Sequence, residues 1–206
     1  MDQIKQKIHW ETVYETKSPE QVSWTQEIPK TSLDFIKSFR LPKSAKIIDI
    51  GGGDSRLVDF LLKEGFEDIT VLDISAKALD RAKDRLGDKA ENIHWVVSDI
   101  TQYKPTTTFD IWHDRATFHF LTTTEQISKY LEIARNSVEG YMTIGTFSEN
   151  GPDKCSGLQV KQYNEETLST ELQNGFRKIR CINEDHVTPF QTSQNFLFCS
   201  FERRRF

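Results

Sequence analysis

The stretch IIDIGGGDSR, residues 47–56, decides the fold. A short apolar strand runs into Gly51, Gly52 and Gly53, and then into Asp54, Ser55 and Arg56. Glycines let a backbone turn sharply and approach a ligand closely. Three ligands suit such a loop: a dinucleotide pyrophosphate, a nucleoside triphosphate, or a ligand held without phosphate. A triphosphate loop needs GxxxxGK[ST], and no lysine follows these glycines at that offset. A dinucleotide loop needs GxGxxG, whose third glycine lets helix and strand pack closely. Counting from Gly51, that position is Arg56.

Working outward, strand and helix patterns alternate. KIIDI (46–50), ITVLDI (69–74), IHWVV (93–97), FDIWH (109–113) and YMTIGTF (141–147) are short, apolar, buried-strand runs. Between them, SRLVDFLLKEG ends its helix at Gly65, and SAKALDRAKDRLG starts at Ser75 and stops at Gly87. Thr122 and Glu125 form a TxxE capping box before QISKYLEIARNSVEG. NEETLSTELQNG is a helix capped by Asn164 and closed by Gly175. FRKIRCI (176–182) and NFLFCSF (195–201), joined through Pro189, make a closing antiparallel pair. Before the first strand, Leu33, Ile36 and Phe39 form one helical stripe, with Thr31 or Ser32 as N-cap and Pro42 beyond the end.

This alternation predicts an α/β fold: a seven-stranded, mostly parallel, doubly wound sheet with helices on both faces. The expected organisation is one domain over 1–206, with an N-terminal helical cap or lid at 1–40 and the core at 41–206.

The loop pattern that remains is D-x-G-x-G-x-S: Asp49, Gly51, Gly53, Ser55. Asp73 closes the second strand, about twenty residues on, where a carboxylate can accept both ribose hydroxyls. Asp99 closes the third strand, placed for an exocyclic amine. Together they describe a nucleoside with free hydroxyls and no phosphate to cradle.

From about residue 40 onward the chain resembles the class I S-adenosylmethionine (SAM) dependent methyltransferases. The resemblance implies a Rossmann-like methyltransferase fold, SAM as cofactor and S-adenosylhomocysteine (SAH) as product. It implies that Gly51 and Gly53 back the amino-acid portion of SAM and that Asp49 orients its ammonium. It also implies Asp73 on the ribose with Ile74 on the adenine, and Asp99 on the adenine amine with Ile100 against the ring. His113 at the fourth strand end and Trp24 in HWETVYE…VSWTQ, an aromatic lid segment, join the cofactor side.

Downstream, FDIWHDRATFHFL lacks the Asn/Asp-Pro-Pro-Tyr/Phe motif of many amine-methylating relatives. Asp114-Arg115-Ala116 resembles the D-R-G of thiopurine and related thiol methyltransferases, departing by one residue. Asp114 to His119 more loosely resembles the D-K-G-T-x-D of elongation-factor and citrate-synthase lysine methyltransferases, with His119 in place of the last acid. The candidate catalytic residues are therefore Asp114, Arg115 and His119. Arg115 either faces the pocket, favouring a thiolate, or pairs with Asp114. His113 is either a base or a hydrogen-bonded structural histidine. Trp10, Tyr14 and Trp24 are either helix-packing aromatics or a water-excluding lid. His186 either closes the pocket from the last hairpin or orders its loop.

At pH 7, deprotonating a lysine of pKa ~10.4 costs about 4.6 kcal/mol, against about 2 for a thiol of pKa ~8.5. The expected activity is direct SN2 methyl transfer to a small molecule, possibly a thiol or other soft nucleophile. The alternatives are a protein lysine methyltransferase and a SAM-binding protein without catalysis.

Whole-chain composition bounds the rest. Hydrophobic residues are 36% and charged residues 28% of 206, which suits a globular domain rather than a disordered one. Net charge is −4, and the only dense basic cluster is Arg203 to Arg205, expected to be a solvated tail, so no nucleic-acid partner is expected. No membrane span or secretory signal is visible, which makes cytoplasm the expected location. Cys155, Cys181 and Cys199 form no CxxC; the last two are expected to be separate buried hydrophobes, and Cys155, in a loop, to be more open to a role. No His/Cys/Asp cluster has ligand spacing, so no metal is expected.

Overall fold

The computed structural model describes residues 3–204. Two helices precede the sheet: α1 (Gln3–Thr16) and α2 (Lys30–Ser38). Then come β1 (Lys46–Ile50), α3 (Leu57–Lys63), β2 (Asp68–Asp73), α4 (Ala76–Leu86), β3 (Ile93–Val97) and β4 (Phe109–Arg115). The chain continues through α5 (Thr124–Ser137), β5 (Val138–Phe147), β6 (Lys154–Cys155), β7 (Leu158–Gln159), α6 (Glu165–Leu172), β8 (Phe176–Val187) and β9 (Ser193–Arg203). The main sheet has seven strands in the order β3-β2-β1-β4-β5-β9-β8. The first five run parallel, and β9 pairs antiparallel with both β5 and β8. The chain therefore has the seven-stranded, doubly wound sheet that the strand pattern predicts, in the Rossmann-like arrangement that the resemblance implies.

The parallel strands are apolar throughout because both faces are covered. Ile47, Ile69, Val71 and Ile111 pack with Leu33, Ile36, Leu57, Leu61 and Leu79, so α2, α3 and α4 lie on one face. Ile48, Ile50, Trp112, Met142 and Ile144 pack with Ile127, Tyr130, Leu131 and Leu168, so α5 and α6 lie on the other. The strand order reverses between β1 and β4, which opens a crevice at their carboxyl ends, where ligands sit in such sheets.

The N-terminal segment covers that crevice. Trp10, Tyr14 and Val22 are buried with Ala78 of α4, and Trp24, Ile74 and Phe120 pack against them. A carboxylate holds α1 in place. Glu11 accepts hydrogen bonds from the Ala76 N–H (2.9 Å), the Lys77 N–H (3.2 Å) and the Ser75 hydroxyl (2.9 Å). Those N–H groups are the orphan donors of the first turn of α4, where a negative charge is favoured.

Several local expectations shift. The helix stripe at Leu33 starts at Lys30 after Pro29, so Thr31 and Ser32 are not caps; their hydroxyls go to Glu184 and His113. The capping box is Thr123 with Gln126, one residue after the expected pair. β4 extends to Arg115 and β8 to Val187, and the β6–β7 hairpin carries no pattern long enough to read. Cys181 and Cys199 face each other in the β8–β9 register and are joined as a disulfide, with Cα atoms 4.1 Å apart. A cross-strand pair has no fixed sequence spacing, which is why the chain alone does not announce it. Arg203 is no solvated tail: it belongs to β9, donates to the Gly175 carbonyl and covers the Phe176 ring. Arg205 lies outside the described residues.

Glu11→Ala removes the α4 cap from a distance. At a typical ~1 kcal/mol per cap, it should lower Tm by roughly 2–4 °C, read by calorimetry. An unchanged Tm refutes the docking role of Glu11.

Candidate active site

The glycine loop is shaped by what lies against it. Gly51 and Gly53 have φ of +64° and +50°, a conformation that favours glycine. A Cβ at Gly51 would stand 1.8 Å from the Thr117 hydroxyl oxygen, and one at Gly53 would stand 2.5 Å from Tyr14 Oη. Thr117 in turn donates to the Ile50 carbonyl at 3.2 Å, which ties the turn after β4 to the glycine loop.

Above this loop is a cavity of about 680 Å³. It falls within the roughly 300–1,000 Å³ usual for small-molecule sites. Of the residues expected on the cofactor side, Asp49, Gly51, Asp73, Ile74, Asp99, Ile100, His113 and Trp24 line it. Gly53 lies just beneath, against Tyr14. The acceptor side adds Arg115, Ala116, Phe120, Cys155 and His186.

Asp73 ends β2 with its carboxylate buried, accepting from the Ser75 N–H at 2.8 Å. Burial pushes this carboxyl up to about 7, with neighbouring Asp54 and Asp49 adding to the effect and the Ser75 and Gly53 N–H groups opposing it. A buried carboxylate short of donors, one strand from a glycine cradle, fits a ligand that presents paired hydroxyls. Asp99 accepts from the Thr101 N–H and hydroxyl, both at 2.8 Å, and is only half-buried.

Strand alternation sorts the fourth strand's chemistry. Successive side chains point to opposite faces. His113 shares its face with Ile111, beside α2, while Trp112 and Asp114 face α5. His113 Nδ1 lies 2.7 Å from an Asp49 carboxylate oxygen, and its Nε2 lies 2.8 Å from the Ser32 hydroxyl. An ionised carboxylate only accepts, so Nδ1 carries the proton and Nε2 accepts from Ser32. This hydroxyl–imidazole–carboxylate chain can pass a proton from the cavity wall inward. Ser32 was not among the expected residues. In the sequence it carries only the signal of a helix cap, and only the fold brings α2 to β4.

Asp114 does not reach the cavity. Its carboxylate accepts from the Tyr130 hydroxyl at 2.8 Å and from the Thr117 and Phe118 N–H groups at 3.1 Å, on the opposite face. Burial pushes it up to about 6, against the pull of those donors. His119 also sits behind the wall, fully buried and stacked on Phe147, with Nδ1 accepting from the Phe147 N–H. Burial, helped by Arg115, holds its pKa down at about 3, so the imidazole is neutral. Of the three expected catalytic residues, the structure brings only Arg115 into the cavity, and it forms no pair with Asp114.

Arg115 donates from Nη1 to the Trp24 carbonyl at 2.9 Å. Burial lowers its pKa to about 10, which leaves it charged at neutral pH. Cys155 is a buried free thiol pushed up to about 11 by burial. His186 meets the Ser23 carbonyl at 2.6 Å, and burial and Arg115 both lower its pKa. Cys155, expected in a loop and open to a role, ends the short strand β6 and lines the cavity from a buried position, and His186 lines it too. Among the described residues no group of His, Cys, Asp and Glu could hold a metal, and no helix is long and apolar enough to cross a membrane.

Comparison with known proteins agrees with this geometry. Residues 47–139 match the model of a methyltransferase domain family. Over 122 residues, 57% of this chain and 17% of the relative, the sequence is 28% identical to the mouse eEF1A lysine and N-terminal methyltransferase. The structure resembles a SAM-dependent methyltransferase from Anabaena variabilis (TM-score 0.76, 12% identity, 98% of this chain and 95% of that one). It also resembles the 1,6-didemethyltoxoflavin-N1-methyltransferase of Burkholderia thailandensis, solved with its substrate and SAH (TM-score 0.68, 16% identity, 98% and 85%). The chain spans only 17% to 39% of the length of the curated relatives it matches. Residues 47–139 are thus similar to a methyltransferase domain, and the chain as a whole has the fold of the SAM-dependent methyltransferases it resembles.

The Asp73 carboxyl gives a pH prediction. Raised to about 7 in the fold, against an ordinary value of ~3.9, it contributes stability below pH ~4 that is lost as pH rises towards 7. Asp73→Asn does not titrate. Without cofactor, its Tm relative to wild type should therefore rise between pH 4 and 7.5. A pH-independent difference refutes the assignment.

Proposed function

We propose that the protein transfers a methyl group from SAM to a small-molecule acceptor, with a thiol or other soft nucleophile as the acceptor class. One observation carries this: the glycine loop, Asp73 and Asp99 line the same cavity as Arg115, Cys155 and His186. Asp73 accepts the ribose hydroxyls, Asp99 the adenine amine, and Ile74 and Ile100 flank the ring. Gly51 and Gly53 bring their backbone to the amino-acid portion, beside Asp49. When bound, SAM supplies an electrophilic methyl group on a sulfonium sulfur.

The chain's own residues then position the acceptor and take its proton. The acceptor proton passes to the Ser32 oxygen as the Ser32 proton moves to His113 Nε2. The Asp49 carboxylate steadies the resulting imidazolium through Nδ1–H. Trp10, Tyr14 and Trp24 roof the site and keep water from solvating the nucleophile. The positive charge of Arg115 in the cavity disfavours an ammonium there, which favours a thiol acceptor over a lysine. The roof also suits a small molecule better than a protein segment.

Calorimetric titration with SAH should show binding to wild type and at least about tenfold weaker binding to Asp73→Ala, since hydrogen bonds to a charged group are lost. Equal affinities sink the cofactor assignment. With radiolabelled SAM and cell lysate, label should appear in the small-molecule fraction; a discrete labelled protein band supports the lysine-methyltransferase alternative instead. Ser32→Ala should lower kcat by about 10²-fold or more while SAH affinity holds. A normal kcat removes the proton route.

A further inference from the structure

Arg115 is the one group in the cavity whose chemistry the proposed function leaves unfinished. Its Nη1 is committed to the Trp24 carbonyl, but Nε and Nη2 are removed from solvent and bonded to nothing among the described residues. These two atoms are one edge of the guanidinium plane, and their N–H bonds run parallel. That edge matches the two oxygens of a carboxylate, the fork-to-fork pairing that makes arginine the usual residue for planar anions.

The chain supplies no such anion. Among the described residues no carboxylate lies within ion-pair distance of Arg115. Glu184 and Asp49 act on it electrostatically. Glu184 is engaged by the Thr31 hydroxyl, however, and Asp49 by His113. Cys155 and His186, its neighbours in the cavity, are held neutral at pH 7 by burial. A desolvated cation without a counter-charge is costly, so the fold holds a site that an anion completes.

The location separates this site from the cofactor's. The guanidinium lies over the Phe196 ring of β9, 5.0 Å from its centroid. In the sheet order, β9 is two strands beyond β4, on the side away from β1 and its glycine loop. At ~4.8 Å per strand, the β9 backbone lies roughly 10 Å from that of β4, so the guanidinium leans towards the hairpin. Phe120 and Trp24 supply aromatic wall nearby.

Resting on the methyltransferase assignment above, we propose that the acceptor is a small acid. It carries a carboxylate or comparable planar oxyanion, distinct from its nucleophilic atom, which the Nε–Nη2 edge of Arg115 holds while the aromatic walls hold its apolar body.

The test is binding to the SAH complex of the full chain, by calorimetry, of two probes that share a ring and chain length: phenylacetate and 2-phenylethanol. Wild type should bind phenylacetate at least about tenfold more tightly, the margin expected of charge-assisted hydrogen bonds. Arg115→Met should erase that preference without changing SAH affinity. Arg115→Lys, which keeps the charge but not the fork, should restore part of it and show that the site still folds. Equal binding of the two probes by wild type overturns the inference, as does a preference that survives Arg115→Met. Loss of SAH binding in Arg115→Met overturns it differently: the fork then holds the cofactor's own carboxylate, and the methyltransferase assignment stands. Failure of wild type to bind SAH removes that assignment, and this inference with it.

Discussion

The two-residue period of a strand governs this site. Along β4, Trp112 and Asp114 turn towards α5, and His113 turns towards α2. Slipping the strand by one residue would exchange Asp114 for His113 on the face beside α2. The parity is locked from both sides. Asp114 is anchored by the Tyr130 hydroxyl, which also accepts from the Trp112 indole N–H at 2.8 Å. His113 is anchored by Asp49 and Ser32. Each face is therefore held by buried hydrogen bonds that would lose their partners in the other register, and orphaned buried groups are expensive.

The sequence carried the frame well and the site unevenly. The periods of the apolar runs, the Ser75 and Asn164 caps and the stops at Gly65 and Gly87 are local signals, and they survive folding almost unchanged. The cofactor half was legible for a related reason. Asp49, Asp73 and Asp99 sit at strand ends, and the carboxyl ends of parallel strands converge on one crevice. The acceptor half was harder. HDRATFH places five polar side chains within seven residues. Which of them meet the cavity depends on parity and on a tight turn at Ala116, where φ is +66°. Asp114 and His119 fall behind the wall by that geometry. Ser32 and Glu11 were invisible as site residues, because their partners lie 81 and 64–66 positions away.

Two regions far apart in the chain enclose the acceptor half. Trp24 arrives from the segment between α1 and α2, and His186 from the end of β8. The contact of His186 with the Ser23 carbonyl spans 163 residues. Arg115 lies beneath, giving its one protein hydrogen bond to the neighbouring Trp24 carbonyl. The wall around Arg115 is thus built by a connecting segment and a strand end distant in the chain, while the glycine-loop side of the cavity is set by the sheet.

The docking of α1 by Glu11 has a consequence for the order in which the molecule is built. α1 is synthesised before α4, yet it finds its anchor only once residues 75–77 exist and α4 has begun to form. Contacts of such long sequence separation close late, because loop entropy must be spent before they return anything. The same segment is attached to the core by a few side-chain bonds and an aromatic cluster rather than by a strand ladder, so it belongs with the elements that open at the lowest free energy. The cavity is therefore finished last during folding and unsealed first in the native state. Exchange of ligands need not disturb the sheet that positions Asp49, His113 and Asp73.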